Sequence, residues 1–574
     1  MASVAEKLVE ALVRAGVRRI YGVVGDSLNS IVDAVRRSGE IQWVHVRNEE
    51  AAAFAAGAEA QLSGNLAVCA GSCGPGNLHL INGLYDCHRS KAPVLALATH
   101  VPSSEIGTGY FQETHPELLF QECSHYCEMM MTPKQMPRVL QIAMQTALSK
   151  GGVSVLVIPG DVAMESVPDQ APLAHDVLRA RPHVRPSDAG LRQLADLLNG
   201  HKKITLLCGR GCACAHDEMI RLAGMLKSPV VHSLAGKEFV EYDNPYDVGM
   251  TGLIGVPSGA HAMDRCDVLL MLGTDFPYQE WYPKKAKIIQ IDLLAEQLGR
   301  RSRLELGLVG DIKETLSALF PLLNGNEDET FLKSCLDDQK ETIDSLNSHA
   351  KGIAGHKPIH PEFLAATLNE VAAADAIFTV DTGMVTVWAA RYLRMTKDRR
   401  LIGSFGHGSM ANALPQAIGA QLLFPERQVI SMSGDGGFSM LMGDFLTVVQ
   451  HGLPLKIVVF NNGTLGMVKL EMEVAGLPDY GVDFKGNTNF AKIVEAVGVP
   501  GIRVEDPADL RSSVEQWLAQ KGPGLLDVVV NPHELSMPPK VSLSQAWGFS
   551  LFMIKDIFGG DTAAPIELVE SNLR

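Results

Sequence analysis

Three times along this chain, short β-branched apolar runs alternate with amphipathic stretches of helical period, a pattern that commits each block to a parallel sheet covered by helices. Parallel neighbours cannot be joined by a tight turn, so each strand needs a crossover helix behind it. The first block reads RRIYGVV, IQWVHV, LAVCAG, VLALAT and VSVLVIPGD, and a polar, proline-bearing linker is expected from Ser166 to Ser187. KITLLCG, SPVVHSL, VLLMLGT and KIIQID form the second block, which fades into charged helical sequence around Asn324 to Lys357. The third carries AIFTVD, QVISMSGDGG, LKIVVFNN and GLLDVVV. We therefore expect an α/β chain of three doubly wound parallel-sheet domains at 1–182, 183–334 and 335–532, with a C-terminal tail at 533–574. Gly74 to Pro93 and Gly436 to Pro454 share an order of glycine-rich turn, helix, proline and strand. That faint repeat predicts two similar domains separated by a different one.

Composition narrows the function classes. The chain has 574 residues, 46% hydrophobic and 20% charged, enough for several packed cores. Fifty Lys and Arg against 65 Asp and Glu leave a formal charge of −15, which repels nucleic acid. The ten cysteines include no CxxC and no zinc spacing, so reduced thiols and a cytoplasmic setting are expected. MASVAEKLVEALVRAG places Val4, Leu8 and Leu12 on one helical face, unlike a signal peptide, and no apolar run reaches the roughly 18 residues of a membrane span.

The sharpest motif lies in the third block. Gly434-Asp435-Gly436-Gly437 follows the apolar strand QVISMS, and a second strand, LKIVVF, ends at Asn461-Asn462-Gly463. Both segments leave the carboxyl ends of parallel strands, where open α/β sheets bind ligands. The glycines let backbone N–H groups approach a diphosphate, while Asp435 and the Asn462 amide offer hard oxygens to Mg²⁺. In the first block Asn48-Glu49-Glu50 opens an alanine-rich helix. One reading makes Asn48 a cap with two acids favouring the helix dipole, and the other gives Glu49 a cofactor role.

The strand, GDGG, helix, strand, NN arrangement resembles the signature of thiamine diphosphate (ThDP) enzymes. EEAAAFAAGAEAQLSGNLAVCAGSCGPGNLHLINGLYDCHRSKAPVL, SSEIGTGYFQETHPELLFQECSHYCE, GKEFVEYDNPYDVGMTGLIG and SFGHGSMANALPQAIGAQ are similar to the bacterial pyruvate oxidases that reduce a quinone. The resemblance covers essentially the whole chain. It implies pyrimidine-binding, FAD-binding and diphosphate-binding domains in that order, and oxidation of pyruvate to acetate and CO₂ with electrons passing through FAD to ubiquinone.

The implied metal ligands are Asp435, Asn462 and the Thr464 carbonyl, with Gly436, Gly437, Gly463, Leu465 and Gly466 beside the diphosphate. Gly383, Gly408 and Ser409 are further implied ThDP contacts, and Met410 is the wedge that bends the cofactor. Glu49 is the implied partner of the aminopyrimidine, although relatives often carry His where this chain has Asn48. Phe111 and Gln112 are implied beside the reacting carbon, whereas by residue type alone Phe111 reads as core and Gln112 as surface. For FAD the matching residues are Thr251, Gly252, Leu253, Ile254, Thr274, Asp275, Phe276, Pro277, Tyr278 and Asp292. Gly209-Arg210-Gly211 is a weaker nucleotide-turn candidate, and periodicity does not separate FAD from NAD or coenzyme A. Met467 stands where the family has a Phe implicated in activation.

The tail places Trp547, Leu551, Ile554 and Phe558 at helical spacing, then Ile566, Val569 and Leu573 after Pro565. Packing on the parent domain and binding to lipid are both open for it. The resemblance implies a homotetramer attached peripherally to the inner face of the cell membrane, yet from Leu551 onward the tail is acidic, which weakens attraction to anionic lipid. The alternative is an acetolactate synthase-type carboligase carrying ThDP and FAD.

Overall fold

The computed structural model describes residues 2–167, 177, 183–352, 357–486 and 488–534. It contains three six-stranded sheets, and every pairing within them is parallel. The first holds β1 (Arg19–Gly22), β2 (Gln42–His45), β3 (Ala67–Gly71), β4 (Val94–His100), β5 (Tyr126–Met129) and β6 (Val153–Pro159), ordered β2-β1-β3-β4-β6-β5. The second holds β7 (Ile204–Cys208), β8 (Val230–His232), β9 (Asp247–Met250), β10 (Val268–Leu272), β11 (Lys287–Asp292) and β12 (Leu306–Val309), ordered β12-β11-β10-β7-β8-β9. The third holds β13 (Ile377–Val380), β14 (Arg400–Gly403), β15 (Val429–Gly434), β16 (Lys456–Asn461), β17 (Gly501–Val504) and β18 (Gly524–Val529), ordered β14-β13-β15-β16-β18-β17.

The outer sheets share one winding. Counting strands from one in each, both read 2-1-3-4-6-5, so the repeat seen around Gly74 and Gly436 extends to whole domains. The middle sheet reads 3-2-1-4-5-6 from its β9 edge, the order typical of dinucleotide-binding sheets. Its winding reverses between β7 and β10, and in open α/β sheets ligands commonly bind near such a reversal, at the carboxyl ends of the strands. Interior strands β3, β4, β6, β7 and β10 are buried along their whole length, because helices cover both faces.

Val4, Leu8 and Leu12 are fully buried on the helix Val4–Arg14, and Ser3 and Glu6 close its start as a capping box. The helix Glu49–Ser63 is buried on nearly all sides, which explains its alanine content. It lies between the helix Pro75–Arg89 and the helix Ala413–Leu423 of the third domain. Contact there is so close that a Cβ on Gly419 would fall 2.1 Å from the Ala55 carbonyl oxygen, and one on Gly83 would fall 2.6 Å from the Ala53 Cβ. Small residues thus dock the first domain directly on the third.

Both stripes expected in the tail, Trp547 to Phe558 and Ile566 to Leu573, lie outside the described residues, as does most of the expected linker. Among the described residues no helix is long and apolar enough to cross a membrane.

Candidate active site

Strands β13, β15 and β16 are neighbours, and each leads into a helix, β15 directly and the other two through a short loop: Met384–Tyr392, Asp435–Met440 and Gly466–Val474. Three helix N-termini with their unpaired N–H groups therefore converge at one sheet edge. Between them lies a cleft. Gly383, Met410, Asp435, Gly436 and Gly437 line one part of it. Asn462, Thr464, Leu465, Gly466 and Met467 line another. A Cβ built on Gly383, Gly434 or Gly463 would meet nothing within 4 Å, so the backbone faces open space where a diphosphate could lie against it.

Asp435 is 5% exposed, and burial pushes its carboxyl up to about 6. Its Oδ2 accepts from Gly463 N at 2.7 Å and its Oδ1 from Gly436 N at 2.9 Å, which ties the two loops together. The Asn462 Oδ1 accepts from Thr464 N at 3.2 Å. The adjacent Asn461 instead turns into the core, donating to the Asp527 carboxylate and to the Thr488 carbonyl. Only the second asparagine belongs to the cleft. A buried carboxyl with little to neutralise it, beside an amide oxygen at the mouth of three helices, fits a divalent cation bound together with phosphate oxygens.

Asp381 supports this arrangement from below. It is 1% exposed, its carboxyl is raised to about 7 by burial, and its Oδ2 has no hydrogen-bond partner among the described residues. A Cβ on Gly437 would fall 1.7 Å from that oxygen, so the last glycine of GDGG makes room for the Asp381 carboxyl.

Glu49 forms a separate cluster. It is the first residue of its helix and 7% exposed, with Asn48 capping the helix by accepting from Glu50 N at 2.9 Å. Its Oε2 lies 2.9 Å from His79 Nδ1, and a Cβ on Gly76 would fall 3.0 Å from its Oε1. Gln112 joins the same turn, with its backbone against Gly74 and a left-handed φ of 64°. Phe111, which by residue type alone belongs to a core, is instead 79% exposed on a loop, so that reading is corrected. Glu49, Phe111 and Gln112 are absent from the lining of the Asp435 cleft in the same chain. Ser409 is bonded by Asn82 Nδ2 at 2.8 Å, which holds the loop before Met410 against the first domain.

In the middle domain the loops after β9 and β10 meet. Gly252, with φ of 100°, packs so tightly on Phe276 that a Cβ would fall 2.9 Å from its ring, and Phe276 makes an edge contact with Tyr278. Thr251 Oγ1 is buried without a partner among the described residues. Leu253, Tyr278 and Leu293 expose apolar surface, and Asp292 is buried at the end of β11 with its carboxyl raised by burial. Ile254 and Gly255 carbonyls accept from Arg391 of the third domain, while Asp275 pairs with Arg301 at 3.2 Å. An orphaned hydroxyl, an apolar rim and a carboxyl at one sheet edge suit a dinucleotide. Thr274 and Pro277 belong to the same loop. The Gly209-Arg210-Gly211 turn, by contrast, is filled: a Cβ on Gly211 would fall 2.6 Å from the Gly273 Cα, and Arg210 donates to the Ser90 carbonyl of the first domain.

His79, Asn82 and Asp381 are partners that sequence reasoning did not assign. A lone His in GPGNLHL carries no spacing signal, and its pairing with Glu49 exists only once two helices are packed.

Comparison with known proteins bears on these clefts. Residues 2–119 match the N-terminal TPP binding domain of thiamine pyrophosphate enzymes, 191–319 their central domain and 381–528 their C-terminal TPP binding domain. The chain is 35% identical over 554 residues to a putative thiamine pyrophosphate-containing protein, YdaP, of Bacillus subtilis, covering 96% of each. It is 30% identical over 550 residues to a pyruvate oxidase of Lactiplantibacillus plantarum, covering 94% of this chain and 90% of that one. It is also 30% identical over 555 residues to a probable acetolactate synthase large subunit of Methanocaldococcus jannaschii, covering 93% of each. The chain belongs to the thiamine pyrophosphate enzyme family.

Proposed function

We propose that this enzyme oxidises pyruvate to acetate and CO₂ and passes the electrons through FAD to ubiquinone. The balance is pyruvate, water and quinone in, and acetate, CO₂ and quinol out. In this reading Asp435, Asn462 and the Thr464 carbonyl hold Mg²⁺ on the diphosphate, and Met410 wedges the thiamine from the loop that Gly408 and Ser409 begin. Glu49 of a second copy shares a proton with the pyrimidine, with Phe111 and Gln112 beside the substrate, which makes the working unit a homo-oligomer, here a tetramer. Bound ThDP supplies the electron sink for the departing CO₂. Thr251 to Ile254, Thr274 to Tyr278 and Asp292 hold FAD. The segment 533–574 serves as a lipid-binding tail that brings the molecule to the inner face of the cell membrane.

The observation that supports this reading is the pairing, in one chain, of the Asp435 cleft with a middle sheet wound in the order typical of dinucleotide-binding sheets. Simple decarboxylation has no use for the second. An acetolactate synthase-type reaction, in which a second keto acid takes the place of the oxidant, is the other reading, favoured by the equal identity to the archaeal synthase. Anaerobic mixing of the FAD-loaded enzyme with pyruvate separates them. Bleaching of the flavin band with one acetate per flavin is expected; acetolactate formed over an unbleached flavin would sink the oxidase reading.

A further inference from the structure

The paired carboxylates at the start of the helix Glu49–Ser63 are sorted by one face of the helix Pro75–Arg89. Asn82 takes Glu50, donating to its Oε1 at 2.7 Å. The same side chain donates to Ser409 Oγ at 2.8 Å and meets His407 Nε2 at 2.9 Å through its oxygen, so Glu50 is absorbed into the contact between domains. One helical turn earlier, His79 takes Glu49. Its Nδ1 lies 2.9 Å from Glu49 Oε2, and its side chain is half exposed. The Glu49 Oε1 accepts no hydrogen bond among the described residues and lies over Gly76, where the absence of a side chain leaves it room. A carboxyl held by one oxygen keeps its plane and presents the other oxygen in a set direction.

We propose that His79 is the positioning residue for Glu49: its Nδ1–H holds Oε2, so that Oε1 is the oxygen offered to the cofactor's pyrimidine nitrogen. The inference rests on the reading of Glu49 as the cofactor glutamate. With a carboxylate as acceptor, Nδ1–H is the donor, so the bond to Oε2 leaves Oε1 facing the cofactor. Fixing one oxygen removes a rotation that would otherwise carry the charge away from the pyrimidine. His79 is half exposed and Glu49 is buried, so a purely structural role predicts that loss of His79 shows in melting, whereas a positioning role predicts that it shows in exchange.

The test uses the full chain loaded with Mg²⁺ and ThDP, and reads three quantities: deuterium exchange at the thiazolium C2 by quenched NMR, the Kd for ThDP by calorimetry, and the melting temperature. His79→Ala is expected to slow exchange about tenfold while changing Kd less than about threefold and leaving melting unchanged. His79→Asn, whose amide can donate from near the Nδ1 position, is expected to restore most of the rate. Glu49→Gln is expected to slow exchange on the order of 100-fold, and adding His79→Ala to it is expected to cost nothing more. Exchange in His79→Ala within about twofold of the parent, with Glu49→Gln still defective, overturns the role of His79 alone. Exchange undisturbed by Glu49→Gln overturns the reading of Glu49 and the inference with it.

Discussion

If Asp435 holds a cation as proposed, its burial bears directly on that role. Without metal its carboxyl is raised to about 6 because the cleft removes it from water. A folded-state value above the unfolded one of about 3.9 means that its contribution to stability is present at acid pH and is lost as pH rises through 6. Cation binding runs the other way, since the ligand must be ionised. The affinity for Mg²⁺ with ThDP is therefore expected to fall as pH drops through 6, approaching about tenfold per unit below it, as titration calorimetry at several pH values would show. The glycines divide by the same logic. Gly437→Ala drives a methyl into the Asp381 carboxyl, and a loss of about 1–3 kcal/mol in urea unfolding is expected. Gly434→Ala meets no atom within 4 Å at an ordinary φ of −75°, so folding stability should hold while ThDP affinity falls, because the methyl enters the space left for the diphosphate.

At the level of elements, most strands legible in the sequence are interior ones, IQWVHV, which became the edge strand β2, being an exception. LAVCAG, VLALAT, KITLLCG, VLLMLGT and QVISMS read as continuous apolar runs, and they became β3, β4, β7, β10 and β15. The strands not foreseen, β5, β9, β12, β14 and β17, all lie at sheet edges or, for β9 and β12, at both edges of the middle sheet. YCEM, LGLV and GIRV are four residues long and are interrupted by Glu128, Gly307 and Arg503, so none reads as a continuous apolar run. Long-range contacts hold them instead. On β17, Arg503 reaches across to the fully buried Asp527 of β18 at 2.6 Å, and Asp527 also accepts from Asn461 Nδ2 and Phe490 N. Arg503→Met strands that carboxylate, and a loss of about 3–5 kcal/mol in chemical denaturation is expected. The loss should propagate to the cleft, because Asn461 immediately precedes Asn462.

For the whole molecule the question is how the site is completed. Glu49 does not line the Asp435 cleft of its own chain, although the proposed chemistry needs both around one cofactor. If a second copy completes each site, Glu49→Gln and Asp435→Asn are each inactive alone but complement one another when dissociated, mixed and reassociated. Half of the dimeric units are then hybrids and half of the hybrids' sites are intact, so about a quarter of the parent activity is expected. Mixtures that stay inactive would show that each chain must build its own site.

The sequence by itself determined what local chemistry determines. Continuous apolar runs placed the interior strands, and glycine, aspartate and asparagine at strand ends marked the cleft, because a turn that lets backbone approach a phosphate must be written in adjacent residues. Tertiary structure alone decided the rest. It set the shared winding of the outer sheets, the Asp381 carboxyl beneath Gly437, the pairing of His79 with Glu49 and the position of Glu49 outside the lining of the Asp435 cleft. Each of these depends on residues far apart in the chain, whose meeting is fixed by how helices and sheets pack and by nothing in their immediate neighbours.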